Sequence, residues 1–243
     1  TSQNRRSDIF KIMPSEKRCK FCRAPFDGYG GTFVKNILHI FPSRYNPHYC
    51  NTCDNFAKKY QGGAEVPLTI LFADMRGSTT LAENMDPREY SKLVNKFYIE
   101  SSRILNNEGA MIEKLAGDEV TAVFSAGQSG EDYTRVAVEA AKKLLRETGH
   151  GGDGEPWVSI GIGIHSGVSF IGSIGRPSGI MEVTTLGDVP NIGSRLTGEA
   201  KAGEIMVSEV ALNEAGIDST DLDKHELSLK GRSEKVTAYT IRL

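Results

Sequence analysis

The sequence predicts an α+β protein: a ferredoxin-like βαββαβ sheet with helices on one face, preceded by a small zinc-ribbon-like module. Three observations carry this. From residue 68 onward, apolar runs of strand length alternate with amphipathic helical stretches in the order strand, helix, strand, strand, helix, strand. All four cysteines precede that region, as two C-x2-C pairs. Charge divides at the same place: residues 1–63 hold 11 Lys/Arg against 4 Asp/Glu, and the remainder 18 against 27. This asymmetry argues for two units with different surfaces, the basic one suited to nucleic acid, an acidic partner or the acidic unit beside it.

The break falls at "YQGGAEVP", where Gly62, Gly63 and Pro67 punctuate the chain just before a strand pattern. Residues 1–63 are therefore read as a four-cysteine metal-binding module and 64–243 as the main domain. Leu68–Ala73 is a buried strand. Asp86–Asn107 is a helix, because Tyr90, Leu93, Val94, Phe97, Tyr98, Ile104 and Leu105 recur on one stripe. Pro87 suits its first turn and Asp86 its N-cap. Met111–Phe124 reads as two strands folded at Gly117-Asp118. Glu131–Glu147 is a second helix, and Val158–His165 with Val168–Ile174 a second hairpin. A strand at Glu182–Leu186, a helix at Val189–Ala200 and strands at Ile205–Val207, Leu227–Leu229 and Val236–Ile241 complete the domain. "HGGDGEP", residues 150–156, is a surface loop.

No apolar run approaches the ~20 residues needed to span a bilayer. No signal-peptide pattern opens the sequence, and the expectation is a soluble cytoplasmic protein without a membrane partner.

The strand at 68–73 runs straight into Asp74, and Gly77 follows. In a β-α-β-β sheet that strand and the 111–124 hairpin can be neighbours, which brings Asp74 to the same sheet edge as Asp118. Two close carboxylates resist joint ionisation unless a cation lies between them. Hard oxygen donors suit Mg²⁺ or Mn²⁺, commonly together with substrate phosphates. Gly77 lets the backbone pass close to such a phosphate. The competing structural roles are a helix cap for Asp74 and a plain turn residue for Asp118.

Three segments, "FADMRGST", "EKLAGDEVTAVF" and "TTLGDVPNIGSRL", occur in that order. Together they resemble the catalytic domain of a class III nucleotidyl cyclase over roughly residues 66–243. The resemblance implies conversion of a nucleoside triphosphate to a 3′,5′-cyclic monophosphate and pyrophosphate, by two-metal in-line attack of the 3′-hydroxyl on the α-phosphate. It implies two Mg²⁺ or Mn²⁺ ions held by Asp74, Asp118 and the backbone carbonyl of Met75. It makes Lys114 the purine-reading lysine, a donor facing a ring acceptor, and Thr184 the second base-reading residue. Many adenylyl cyclases carry Asp at the Thr184 position; the branch that includes bicarbonate-responsive enzymes carries Thr. Asn191 matches the residue that orients the ribose, and Arg195 the one that stabilises charge at the α-phosphate. "SLKGRSEK" resembles the segment bearing a triphosphate-binding cation, here Arg232 in preference to Lys230. Where the family often has an Arg before the Thr184 strand, this chain has Ile180, with Arg176 earlier in the loop. In this family the metal set and the base and transition-state set meet across a head-to-tail pair, which implies a homodimer with two shared sites. ATP is the expected substrate; guanylate or mixed specificity is the alternative.

Cys19 with Cys22, and Cys50 with Cys53, have the spacing of two zinc knuckles, and four thiolates make a closed tetrahedral Zn²⁺ site. A segment this short also gains from a metal staple. The alternatives are an iron–sulfur cluster, disulfides or a redox switch; disulfides fit poorly with a cytosolic enzyme. His39 and His48 are read as structural or surface residues, and His165 and His225 carry no functional signal. A rival of another class is a nucleotide-sensing or nucleic-acid-binding regulator that uses the basic module, although intact catalytic positions make nucleic acid an unexpected partner.

Overall fold

The computed structural model describes residues 9–10, 13–15, 17–44, 46–59, 62–175, 181–228 and 235–243. It resolves into two compact units. One comprises the described residues up to Glu65 together with Phe170–Leu186; the other comprises Val66–Ser169 and Gly187–Leu243. The sequence alone places 170–186 within the main domain. No helix among the described residues is long and apolar enough to cross a membrane.

The first unit carries helices α1 (Gly28–Leu38) and α2 (Asn51–Lys59). Its small core joins Phe10, Cys19, Ala24, Val34, Tyr49 and Cys50. Neither helix is evident from sequence. On α1, Tyr29, Phe33 and Ile37 recur every four residues yet are exposed, while Gly30, Gly31 and Val34 are buried. The small residues face inward because the backbone at Phe26 stands where side chains at Gly31 would go.

The elements of the main sheet follow in chain order. They are β1 (Gly63–Met75), α3 (Ser78–Asn84), α4 (Pro87–Asn107), β2 (Met111–Ala116), β3 (Glu119–Phe124), α5 (Ala126–Ser129), α6 (Tyr133–Glu147) and β4 (Ile160–Gly175). Then come β5 (Met181–Leu186), α7 (Asp188–Glu199), β6 (Ile205–Ser208), α8 (Glu209–Glu214), β7 (Asp223–Leu227) and β8 (Val236–Ile241). The strands form one mixed sheet in the order β2-β3-β1-β4-β6-β8-β7, with β5 paired to β4 off that path. β1 and β3 are antiparallel, with Thr69 opposite Phe124 and Asp74 opposite Glu119. β4 and β6 are parallel, with Ile162 opposite Ile205.

The α4 stripe does what its periodicity predicts: Phe97, Ile104 and Leu105 enter the core. Asp86 caps the helix by accepting from the Arg88 amide at 2.9 Å. α6 contributes Ala137, Ala141, Leu144 and Leu145 to the same cluster, and α8 contributes Ala211 and Leu212. These helices cover one face of the sheet through Leu71, Ala73, Ile160, Ile162, Ile164, Ile205 and Val207. α7 departs from the expected single helical layer. Its Ile192 and Leu196 pack with Met206 and Ala238, the residues that alternate with Ile205, Val207, Tyr239 and Ile241 along β6 and β8. Successive strand residues point to opposite faces, so α7 lies on the other side of the sheet. β4 makes room for it: in "IGIGI" the isoleucines face the main core. A Cβ on Gly163 would stand 2.3 Å from the Thr197 amide nitrogen of α7.

β4 is one continuous strand where the sequence suggested a hairpin at Ser166-Gly167. Those small residues serve close packing instead. The Ser166 hydroxyl shares a 2.6 Å hydrogen bond with Thr69, and a Cβ at Gly167 would meet Val189 at 2.9 Å. A glycine inside a strand commonly marks such a close approach. The hairpin is β4–β5, with Phe170 opposite Leu186 and Gly175 opposite Met181. Leu229, the end of the strand expected at Leu227–Leu229, lies outside the described residues; β7 runs from Asp223 to Leu227.

Candidate active site

β1 delivers Asp74 to the sheet edge, half-buried, just before the chain turns through Gly77 at φ 70° into α3. The β2–β3 turn arrives beside it. The Met75 amide donates to the Asp118 carbonyl at 3.1 Å, which fixes the buried Met75 peptide between the two aspartates. From α4, the Tyr98 hydroxyl donates to the Gly117 carbonyl at 2.7 Å and holds the turn from outside. Glu119 lies opposite Asp74 in register, so three carboxyls share this corner.

Burial, opposed by Arg76 and reinforced by Asp118 and Glu119, pushes the Asp74 carboxyl up to about 6. Glu119 is also raised by burial, against the Thr121 hydroxyl and the Lys114 ammonium. Arg76 Nη2 binds Asp74 Oδ2 at 2.7 Å, but Oδ1 is buried and has no hydrogen-bond partner among the described atoms. A buried carboxylate oxygen without a donor costs on the order of 1–3 kcal/mol or more. The oxygen-only donor set, the crowded negative charge and the orphaned Oδ1 all fit a hard divalent cation.

The sequence reading gave Arg76 and Glu119 no role. Arg76 is the hub of the corner. Its amide donates to the Ser159 carbonyl at 2.7 Å, Nε to the Asp74 carbonyl at 3.4 Å, and Nη1 to the Ala200 carbonyl at 3.4 Å. The signal available was a cation two residues beyond the strand-ending aspartate; the Glu119 contact needed the strand register.

α7 carries Asn191, exposed, and Arg195, half-buried, one turn apart, while Ile192, Gly193, Leu196 and Thr197 are buried. The Ala200 end of α7 meets Arg76 and hence Asp74. Asn191 is nine residues back along the chain, roughly 13 Å away along the axis at 1.5 Å per residue. Within one chain, then, the aspartate corner sits at one end of α7 and Asn191 near the other. Lys114 is exposed on β2 opposite Thr121, next to a register shift after Ile112. Thr184 belongs to the first unit: half-buried on β5, opposite Gly172. Arg232 and Lys230, with Arg176 and Ile180, lie outside the described residues.

The four cysteines converge, with all Sγ atoms within 4.8 Å of one another, and all are free thiols. Cys22 and Cys50 are 3.6 Å apart at sulfur, far beyond a disulfide bond of ~2.05 Å. A tetrahedral zinc site with Zn–S of ~2.3 Å places its sulfurs about 3.8 Å apart. The first knuckle closes with the Cys19 amide donating to the Ala24 carbonyl and the Arg23 amide to the Cys19 carbonyl. The second pair spans the start of α2 rather than a free turn, and the Asp54 amide donates to the Cys50 carbonyl. Backbone amides of Cys50 and Cys53 point at the sulfurs of Cys19 and Cys50, at 3.2 and 3.4 Å. Hydrogen bonding among the thiols drives Cys19 down and Cys22 and Cys53 up. Neither His39 nor His48 joins the cluster.

Residues 63–242 match the family described as the adenylate and guanylate cyclase catalytic domain. An adenylate cyclase of Anabaena cylindrica is 34% identical over 140 residues, covering 55% of this chain and 27% of that protein. Adenylate cyclase 1 of Rhizobium meliloti is 27% identical over 139 residues, 55% of this chain and 21% of that one. The matched region is thus a minor part of either relative. Among solved structures, the guanylyl cyclase Cya2 aligns with a TM-score of 0.66 at 28% identity, over 74% of this chain and 93% of its own. The adenylyl cyclase CyaB from P. aeruginosa aligns at 0.63 and 25% identity, over 73% and 94%.

Proposed function

The chain belongs to the adenylate and guanylate cyclase catalytic-domain family, and from that premise we propose that it is an adenylate cyclase making 3′,5′-cyclic AMP and pyrophosphate from ATP. One observation carries the reading: the half-buried Asp74 carboxylate, its buried Oδ1 without a donor among the described residues, fixed beside a second aspartate through the Met75–Asp118 hydrogen bond. Asp74, Asp118 and the Met75 carbonyl hold two Mg²⁺ or Mn²⁺ ions. Bound there, such ions would supply neutralisation of the triphosphate charge and a lower pKa for the 3′-hydroxyl. Lys114 donates to a purine ring acceptor, and the Thr184 hydroxyl accepts from the adenine amino group. Asn191 orients the ribose. Arg195 offsets the charge that builds on the α-phosphate, and Arg232 binds the outer phosphates. The separation of Asp74 from Asn191 along α7 supports a site divided between two head-to-tail subunits. The four cysteines hold a structural Zn²⁺ apart from the reaction, with an iron–sulfur cluster as the alternative. Free thiols and a nucleotide substrate suit a cytoplasmic setting.

Guanylate or mixed specificity is the second reading. A hydroxyl at Thr184 donates as readily as it accepts, and the structural relatives include a guanylyl cyclase. Chromatography of products from purified protein with ATP and GTP, each with Mg²⁺ and Mn²⁺, decides between them. The adenylate reading expects cyclic AMP to form faster at equal substrate. Faster cyclic GMP would replace it, and no product from either nucleotide would end both.

A further inference from the structure

We propose that Tyr49 is a positioning residue for base selection: it ties the four-cysteine metal site to β5, the strand that carries Thr184. The proposal rests on the reading of Thr184 as a base-contacting residue. All the groups involved lie in the first unit.

Among the described residues β5 pairs only with β4, so its outer edge has no ladder partner. The Val183 amide on that edge donates instead to the Tyr49 hydroxyl at 3.2 Å. The Val183 side chain packs against the core formed by Phe10, Cys19, Val34, Tyr49 and Cys50. Side chains alternate along a strand, so anchoring Val183 in this core presents Thr184 on the opposite face. One hydrogen bond and one apolar contact therefore fix both the height and the rotation of the residue that meets the base.

Tyr49 is held by the same structure that gathers the thiols. It is only 8% exposed and immediately precedes Cys50. Its amide donates to the Asn46 carbonyl at 3.1 Å, and its carbonyl accepts from Ser43 at 2.9 Å. The next amide, of Cys50, points at the Cys19 sulfur. Among the described residues the surrounding core has six buried members, two of them cysteines. A core that small orders itself only with a staple, and four convergent thiolates supply one when Zn²⁺ binds. Metal occupancy thereby sets the order of Tyr49, Tyr49 sets β5, and β5 sets Thr184. The module is part of substrate reading rather than an appended domain.

The test uses the full chain as purified, with metal content by elemental analysis and four proteins: wild type, Tyr49→Phe, Thr184→Ala and Cys22→Ser/Cys53→Ser. Wild type and Tyr49→Phe are each expected to hold one zinc per chain. Tyr49→Phe is expected to speed deuterium exchange at β5 and to shift the ATP:GTP ratio of kcat/KM about three- to tenfold, the worth of one hydrogen bond. That shift is carried by KM rather than kcat. The double cysteine variant is expected to lose both zinc and β5 protection. Iron in place of zinc, or Tyr49→Phe with unchanged exchange and an unchanged nucleotide ratio, overturns the proposal. If Thr184→Ala leaves the nucleotide ratio unchanged, the base-reading assignment fails. In that case the exchange and zinc measurements still decide whether Tyr49 ties β5 to the metal site.

Discussion

Asp74, in its proposed metal-binding role, shows how a site can be placed at the expense of stability. It ends an apolar strand, one oxygen is paired with Arg76 and the other is buried without a partner among the described residues, with Glu119 and Asp118 beside it. Asp74→Asn removes a repelled charge and keeps the shape. The expected result is a metal-free protein about 1 kcal/mol more stable, or a few degrees in melting temperature, with turnover down at least ~10²-fold. Calorimetry without divalent metal, paired with a product assay, checks both halves; a variant that melts lower and still turns over contradicts the assignment. That Asp74 meets the Asp118 turn was readable in the sequence, because a charge that ends a buried strand and a Gly-Asp turn are local signals. The Arg76–Asp74 pair is itself local, two residues apart, but the further contacts of Arg76 to Ser159 and Ala200 and the approach of Glu119 from the facing strand were not readable, because they run 40 or more residues away in sequence.

At the scale of elements, the 3.6-residue stripes of α4 and α6 were legible because each helix has one dry face. The placement of α7 was not. The Ile-Gly alternation in β4 leaves one face open, but only the fold shows that a helix fills it. Gly163→Ala puts a methyl 2.3 Å from both the amide nitrogen and the Oγ1 of Thr197 and 2.6 Å from the Gly193 carbonyl, so backbone has to move. It is expected to cost ~1–3 kcal/mol. It also shifts α7 and with it Asn191 and Arg195, so activity falls further than the folded fraction does; thermal melts alongside kcat measure the gap. A second element-level tie is that of Arg242, after β8, to Glu204, before β6, at 2.7 Å, and to Asp223 of β7 at 2.6 Å. Burial raises the Glu204 carboxyl, but the Lys201 amide and Arg242 together hold it below its usual range. A carboxyl lowered in the folded state adds stability above its unfolded value near ~4.3 and loses it as pH falls through the folded value. Arg242→Ala should therefore lower the melting temperature most at neutral pH, with the difference from wild type closing below about pH 4.

For the molecule as a whole, the charge step and the Gly62-Gly63 punctuation point to two units, but not to Phe170–Leu186 clustering with the first. A strand's membership is set by what covers its edge and inner face, and for β5 these are Tyr49 and the cysteine core, more than 120 residues earlier. The proposed division of the active site between subunits rests on a distance within one chain: the Asp74 corner lies at the Ala200 end of α7 and Asn191 toward the other. That geometry makes a quantitative prediction for mixed dimers. Asp74→Ala retains the base and transition-state residues; Arg195→Ala retains the metal residues. Each homodimer has two defective sites. A heterodimer joins intact Asp74 from one subunit with intact Arg195 from the other at one site, and both lesions fall at the second. Random re-pairing of equal amounts makes half the dimers hetero, and each has one working site of two. Mixing two inactive preparations should therefore restore about a quarter of wild-type activity. If each chain built its site alone, mixing would give no more than the mean of the two parents at any ratio.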